Sequence, residues 1–356
     1  MDTLLSPCRR RLLGAVGALT ALGVAGCSNR GAVAEAQGFS GLTMGSAYTV
    51  RTAGRILTEA QLDRLAADVQ SALDSVEARM SLYQADSELS RLNAQPMGQA
   101  VAVSRDLLQV LVSGQRVAHL SGGAFDMTVA PLVVAWGFGP GVSASGPAVP
   151  AAAQLLEGRR RLGHAALDLD TAAGTVIKHR DGLALDLGGI AKGFGVDRAA
   201  QALHDAGVEH FMVEVGGEVR TAGRNHLGQA WRIGIEEPDA PSRRARLVLP
   251  VSGQSVATSG DYRIFFEEQG RRYSHTIDPS NGEPITHGLA SVTVVADSCM
   301  QADALATALN VMGLQRGMAL AQSEGIAAHF ITRGPGGALQ DHSSQALMAL
   351  LGGKAA

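Results

Sequence analysis

Cysteine is scarce: the 356 residues hold three, at Cys8, Cys27 and Cys299. With the first two placed in or next to an N-terminal leader, Cys299 is left alone, no internal disulfide can form, and stability must come from a buried core. Cysteine and histidine nowhere take the spacing of a zinc site. A phosphate-binding P-loop is missing too. That motif needs Gly-Lys followed by Ser or Thr, whereas Lys192 is followed by Gly193 and Phe194. The usual dinucleotide fingerprint spacing is absent, and no Gly-x-Ser-x-Gly elbow surrounds a serine. There is no internal repeat. The apolar run Leu12 to Val24 is short for a transmembrane helix, which needs ~20 residues.

What is present begins with a leader. Arg9-Arg10-Arg11 precedes the apolar run, and small residues close it at Ala25-Gly26-Cys27, the layout of a signal peptide. Val24-Ala25-Gly26-Cys27 resembles a bacterial lipobox, in which Cys27 is lipidated and becomes the first residue; an ordinary signal with an incidental cysteine is the alternative. Cys8 to Leu13 resembles a twin-arginine signal, though a plain basic region explains it as well. The expected division is a lipoprotein signal peptide over 1–26, a Gly/Ala-rich tether over 27–38 and one domain over 39–356. The expected location is exported and anchored by lipid to a bacterial membrane, facing the periplasm. Removing residues 1–26 takes away three arginines and one aspartate and moves the formal net charge from −3 to −5. A mildly acidic chain is a poor candidate for nucleic-acid binding. Hydrophobic residues at 46% and charged residues at 18% describe a globular protein.

Phe39 to Arg51 reads as a strand. Thr58 to Met80 has helix periodicity, with Leu62, Leu65, Ala66, Val69, Leu73 and Val76 on one stripe. Ser104 to Leu120 is a second helix, with Leu107, Leu108, Leu111, Val112 and Val117 apolar. Pro140 to Pro150 reads as a surface loop, and Asp197 to Ala206 as a helix continuing a glycine turn. Strands are expected over 209–219 around a turn, and over 229–235, 246–251, 272–277 and 291–296. A helix over 300–312 and a last core strand over 326–332 complete the pattern. The fold class is mixed α/β (α+β) with antiparallel hairpins and no regular βαβ alternation.

Two motifs carry the chemistry. Asp186-Leu187-Gly188-Gly189-Ile190-Ala191-Lys192-Gly193 reads as a buried strand ending in a glycine turn with a lysine beyond it. Taken alone it could be a tight turn in which Asp186 caps the following helix. Ala302-Asp303-Ala304-Leu305-Ala306-Thr307 puts a carboxylate and a hydroxyl on one face of a helix. Local capping and back-bonding is the plainer account of those two side chains. A carboxylate on so apolar a helix must nevertheless be compensated, and an oxygen set suits Mg²⁺ or Ca²⁺ better than zinc. Together the motifs can hold a hard metal and a phosphate. Thr258 to Arg263 and Tyr273 to Pro279 form a further polar pair, in which Ser259, His275 and Asp278 could converge; His275 as an isolated core histidine is the alternative. Ser121 to Asp126 is a glycine-rich turn that would let a flat ligand approach the backbone.

Taken in order, these segments resemble the ApbE-type FAD:protein FMN transferases. The series is Thr43-Met44-Gly45-Ser46, Ser81-Leu82-Tyr83 with Ser87-Glu88 and Leu92-Asn93, Gly123-Ala124-Phe125-Asp126 with Trp136-Gly137-Phe138, Asp186 to Gly193, Val215-Gly216-Gly217, Thr258 to Tyr262, His275 to Pro279, and Ala302 to Thr307. The resemblance implies a single T-fold-like domain with FAD in a groove between its halves. It implies cleavage of FAD at the pyrophosphate, with FMN passed to a threonine hydroxyl of a target flavoprotein, typically a subunit of a membrane redox complex, and AMP released. By matching positions it implies Mg²⁺ held by Asp303, Thr307 and the Gly189 carbonyl. Met44, Tyr83, Ala124, Phe125, Asp126, Asp186, Lys192 and Ile277 would contact FAD. His275 is the candidate for deprotonating the incoming threonine. Ser46, Met127, Glu214 and Asn281 stand where Thr, Pro, Asn and Thr are common in the family, and none of them is an expected metal ligand. Three other readings remain: an FAD pyrophosphatase, a lipid-anchored flavin-binding protein without turnover, and a redox flavoenzyme. The 4% aromatic content neither supports nor excludes the last.

Overall fold

The computed structural model describes residues 36–141, 146–240, 242, 244–262 and 264–352. The expected signal peptide, Cys27 and most of the tether lie outside them. In chain order come strands β1 (Gln37–Thr43) and β2 (Ser46–Thr52), helices α1 (Glu59–Met80) and α2 (Glu88–Ala94), β3 (Ala100–Ala102), α3 (Arg105–Leu120), α4 (Ala130–Ala135) and α5 (Ala152–Arg160). β4 (Leu167–Asp170), β5 (Thr175–Lys178), α6 (Ala191–Asp205), β6 (Phe211–Val215), β7 (Glu218–Ala222), β8 (Trp231–Glu236), β9 (Ala245–Val251) and β10 (Ser255–Gly260) follow. The chain continues through β11 (Phe265–Glu268), β12 (Arg271–Ser274), β13 (Ile277–Asp278), β14 (Glu283–Pro284), β15 (Leu289–Ala296), α7 (Cys299–Ser323), β16 (Ala327–Arg333), β17 (Leu339–Ser343) and α8 (Gln345–Leu350).

An antiparallel sheet of eight strands, in the order β1-β2-β6-β7-β10-β15-β16-β17, forms the backbone of the fold. Side chains alternate across it. On β15, Val292 and Val294 face the helices α3 and α7, while Val295 faces the β8–β9 hairpin. On the helix side, Leu65, Val69 and Leu73 of α1 interlock with Val196, Ala199 and Leu203 of α6 over Val50, Val213 and Val215. On the other side, Trp231, Ile233 and Leu249 close over Val219, Val256 and Ile331, with Leu347 of α8. The mixed α/β class with antiparallel hairpins is what the sequence leads one to expect.

Helix α1 begins where predicted because Thr58 and Gln61 form a reciprocal capping box. Ser104 caps α3 by accepting the Leu107 amide, although Val112 of its expected apolar face is exposed. Three expectations need correction. Phe39 to Arg51 is not one strand but the β1–β2 hairpin, folded at Met44 (φ 46°) and Gly45 (φ 70°). A two-residue turn with positive φ at both positions matches the twist of the strands it joins. The segment before Gly188 is not a sheet strand; it makes one bridge, between Ala184 and Val129. Its Leu183, Leu185 and Leu187 are buried in alternation, and the Asn93 side chain supplies the missing strand partner. Asn93 donates to the Leu185 carbonyl at 2.9 Å and accepts the Leu185 amide at 2.8 Å. Finally, the last core strand is followed by a further edge strand, β17, and α7 runs well past Met312 beyond a break at Gly313 (φ 72°).

Candidate active site

Helix α6 starts at a point where three distant parts of the chain meet. The segment held by Asn93 delivers Asp186, whose Oδ1 accepts the Gly188 amide at 2.7 Å. This closes a tight turn, so Asp186 does not cap α6; the residue at the cap position is Ile190, with no side-chain bond. From there Gly189 lies against α7 and the glycine-rich turn. A Cβ placed on Gly189 would stand 3.0 Å from Thr307 Oγ1 and 3.3 Å from the Phe125 ring. One helical turn before Thr307, Asp303 Oδ2 accepts the Gly193 amide at 3.0 Å. Gly193 itself is where α6 crosses α7, since a Cβ there would lie 2.8 Å from the Asp303 Cβ. The sequence thus brings Gly189, Lys192, Asp303, Thr307 and Phe125 together as expected, and glycine is what permits the approach. Met44 arrives from the hairpin turn, its Cε 2.6 Å from where a Gly195 Cβ would be. A non-glycine residue at positive φ is strain of a kind that gathers at functional sites.

The charges here are buried and mutually dependent. Lys192 Nζ donates to Glu218 Oε1 at 2.6 Å. Glu218 follows the Gly216–Gly217 turn and is 2% exposed, and its Oε2 has no hydrogen-bond partner on another of the described residues. Burial pushes the Glu218 carboxyl up, against the pull of the Lys192 ammonium, to about 7. Burial pulls Lys192 down, but the carboxylates of Glu218 and Asp303 outweigh it and the ammonium ends above the ordinary lysine value. The ammonium and the carboxylate thus each favour the charge of the other. Asp303 is raised by burial, opposed by Lys192 and the Gly193 amide. Asp186 is raised by burial as well. Tyr83 is raised by burial and by the charge of Asp186, which places the two as neighbours.

Above this cluster, Tyr83 and His275 form the rim. Tyr83 is exposed and donates its hydroxyl to the Phe138 carbonyl at 3.1 Å. The half-buried His275 ring meets Phe138 edge-on, with centroids 6.3 Å apart. His275 Nδ1 lies 3.1 Å from the Ile264 carbonyl. A carbonyl only accepts, so Nδ1 carries the hydrogen and the neutral ring keeps its lone pair on Nε2. Burial holds the His275 pKa below the ordinary value, the hydrogen bond to Ile264 pulls it back up, and Lys192 adds to the depression.

The remaining predicted residues serve the fold more than the cluster. Asp126 Oδ1 accepts the amide and hydroxyl of Thr128 at 2.8 and 2.7 Å, and Oδ2 accepts the His164 amide at 3.2 Å. Ile277 is buried with Leu132, Trp136 and Leu162. Ala124 and Asp126 border a cavity of about 500 Å³, alongside Gly122, Arg159, Asp278 and Arg316. Ser259, His275 and Asp278 do not form a triad. Ser259 Oγ accepts from Asn310, His275 donates to Ile264, and Asp278 accepts the Ser280 amide. Two residues of evident weight went unread: Asn93, quoted in a motif without a role, and Glu218, whose only sequence signal is its place after a Gly-Gly turn. Glu214, standing where Asn is common, accepts the Gly217 amide at 2.9 Å and closes that turn. Among the described residues no group of three or more His, Cys, Asp or Glu is arranged to hold a metal; the oxygen set here has one carboxylate, a hydroxyl and a carbonyl.

The ApbE family profile matches residues 44–330, taking in every element of this cluster. The chain belongs to the ApbE family. It is 41% identical over 316 residues to the FAD:protein FMN transferase of Vibrio cholerae serotype O1, covering 87% of this chain and 90% of the relative. It is 37% identical over 340 residues to the FAD:protein FMN transferase of Haemophilus influenzae, covering 94% and 97%. Among solved structures, the apo form of the Pseudomonas stutzeri flavinyl transferase ApbE superposes with a TM-score of 0.81 at 38% identity, covering 90% of this chain and 98% of that one. The ApbE fold thus places the α6–α7 cluster in a family whose named members are transferases.

Proposed function

We propose that this chain transfers FMN from FAD to a hydroxyl of a target protein. The observation that carries the reading is the close approach of Gly189 to Thr307, one turn from the buried Asp303 and near Lys192, in an ApbE-family chain. In the proposed reaction the hydroxyl oxygen of a threonine attacks the phosphorus of the FMN half. A new P–O bond forms, the bond to the bridging oxygen breaks, and AMP leaves with that oxygen and its electron pair. His275 accepts the hydroxyl proton at Nε2 and later releases it to solvent. Lys192 and the amide end of α6 face the pyrophosphate with fixed positive charge. Tyr83 and Met44 border the flavin, and Ala124 to Asp126 approach the ligand with backbone.

The donor set fits a hard cation. Burial raises the Asp303 carboxyl against the pull of Lys192 and the Gly193 amide, and the space that a Gly189 side chain would fill separates its backbone from Thr307 Oγ1. Asp303, Thr307 and the Gly189 carbonyl are all oxygen donors, which suits Mg²⁺. Bound there, Mg²⁺ would neutralise charge on the reacting phosphate and the leaving group. We further propose export and lipidation at Cys27, with target subunits in membrane redox complexes; N-terminal peptide mass after membrane extraction tests the anchor.

The test of the reaction is the intact mass of a flavin-acceptor domain after incubation with this protein, FAD and Mg²⁺, beside an Asp303→Ala control. The expected result is a gain of one FMN phosphoester, absent in the control. Free FMN and AMP without a gain would make the chain an FAD pyrophosphatase, and unchanged FAD would make it a flavin-binding lipoprotein.

A further inference from the structure

Glu218 has a geometry that a purely structural ion pair does not need. It is 2% exposed, and one oxygen takes the Lys192 ammonium at 2.6 Å. The other oxygen is buried with no hydrogen-bond partner on another of the described residues, only its own backbone amide favouring the carboxylate. It lies beneath the Gly216–Gly217 turn, 3.6 Å from where a Gly216 Cβ would be. Native proteins seldom leave such an atom unpaired, and those that persist call for a reason beyond packing. Glutamine would fill the same volume, keep an acceptor for Lys192 and remove the cost of a buried charge. What glutamine lacks is the grip: a charge-assisted bond is roughly twice as strong as a neutral one.

That grip has a use if Lys192 serves the pyrophosphate. Lysine is a flexible four-carbon stem with a point charge at its end, and holding it costs rotamer entropy. Lys192 projects from the first turn of α6, two residues beyond the cap Ile190. Glu218 projects from the first residue of β7. The two join the helix layer to the sheet, leaving the lysine side chain 32% exposed.

We propose that Glu218 is the positioning residue for Lys192, fixing its ammonium where the FAD pyrophosphate is received. The proposal rests on the flavin-transferase reading above for the identity of the ligand, but the clamp itself is tested without it.

The first readout is lysine acylation of the full chain, followed at peptide level by mass spectrometry. The sequence has three lysines, Lys178, Lys192 and Lys354, so the signal is resolved. In Glu218→Gln the acylation rate of Lys192 should rise about tenfold, with Lys178 unchanged as an internal control. The second readout is single-turnover FMN transfer. Glu218→Gln should lower the rate by about 100-fold, the cost of misplacing a reacting group by about 1 Å, while FAD affinity changes less than tenfold. In a Lys192→Ala background the same substitution should alter the rate by no more than about twofold, because its effect passes through the lysine. Glu218→Asp, one methylene shorter, is the second variant should glutamine disturb folding, and it should show the same pattern. Unchanged Lys192 acylation in both variants overturns the clamp whether or not the wild type transfers flavin. A loss that multiplies on top of Lys192→Ala overturns it too, by showing that Glu218 acts independently. A wild type that transfers nothing while acylation still responds contradicts the transferase reading alone.

Discussion

Gly189 and Thr307 approach each other so closely that a single methyl group on the glycine would sit 3.0 Å from the threonine hydroxyl. The approach brings the turn before α6 up to α7, and a side chain at position 189 would enter the space beside the Thr307 hydroxyl. Gly189 is not at positive φ, so a substitution there is a test of space and not of backbone strain. Gly189→Ala should therefore fold, with a stability loss within the 1–3 kcal/mol typical of overpacking. The Mg²⁺ concentration for half-maximal transfer should rise at least about tenfold. Metal titrations at saturating FAD measure it.

Asp303→Asn separates the structural from the chemical role of α7. The amide oxygen can still accept the Gly193 amide, while the buried charge is gone. Because burial already raises the Asp303 pKa, the variant should melt no lower than the wild type at pH 7. Its transfer rate should fall by at least about 100-fold. Thermal unfolding alongside the mass assay checks both halves.

His275 sets a pH dependence with a definite sign. Its folded pKa lies below the ordinary 6.5 because burial disfavours the charged ring; Lys192 adds to this, and Asp261 opposes it. Above about pH 6.5 the ring is neutral folded or unfolded, and this group makes no demand on stability. As pH falls from there, the unfolded chain takes up the proton first, so stability declines toward the folded pKa. The transfer rate should stay flat through neutrality and show an acid limb below 6.5 that is absent from His275→Ala. That variant should lose about 10²–10⁴-fold in rate with FAD affinity near wild type. A large loss of FAD binding instead would reassign His275 to the pocket.

Asn93 replaces a strand partner for Leu185 with two hydrogen bonds. Its carbonyl also receives the Lys178 ammonium at 2.8 Å. Asn93→Ala should cost about 2–4 kcal/mol, the sum of two lost bonds to partly buried backbone groups, in urea unfolding. Since Asp186 follows Leu185 directly, FAD affinity should fall with it.

The parts of the fold that were legible in the sequence are those with a local cause. Helix α1 announces itself through a single apolar stripe, and Asp303 and Thr307 through helical spacing on an apolar helix. The β1–β2 hairpin was not legible because Met44-Gly45 is not an ordinary turn pair; Met44 is held at positive φ by its surroundings. The Leu183–Leu187 segment alternates like a strand, and only the long-range contact with Asn93 shows that it belongs to no sheet. Glu218 was invisible for the same reason. A glutamate after a glycine turn is usually solvated, and here the pairing with Lys192 from another element buries it.

The central claim is that Asp303, Thr307 and the Gly189 carbonyl surround one hard cation beside the FAD pyrophosphate. Anomalous diffraction from crystals grown with Mn²⁺ in place of Mg²⁺ and with FAD tests it most directly. The account predicts a peak about 2.0–2.2 Å from these three oxygens, lost in Asp303→Ala crystals. A peak elsewhere, or none at this point with FAD bound, would contradict it.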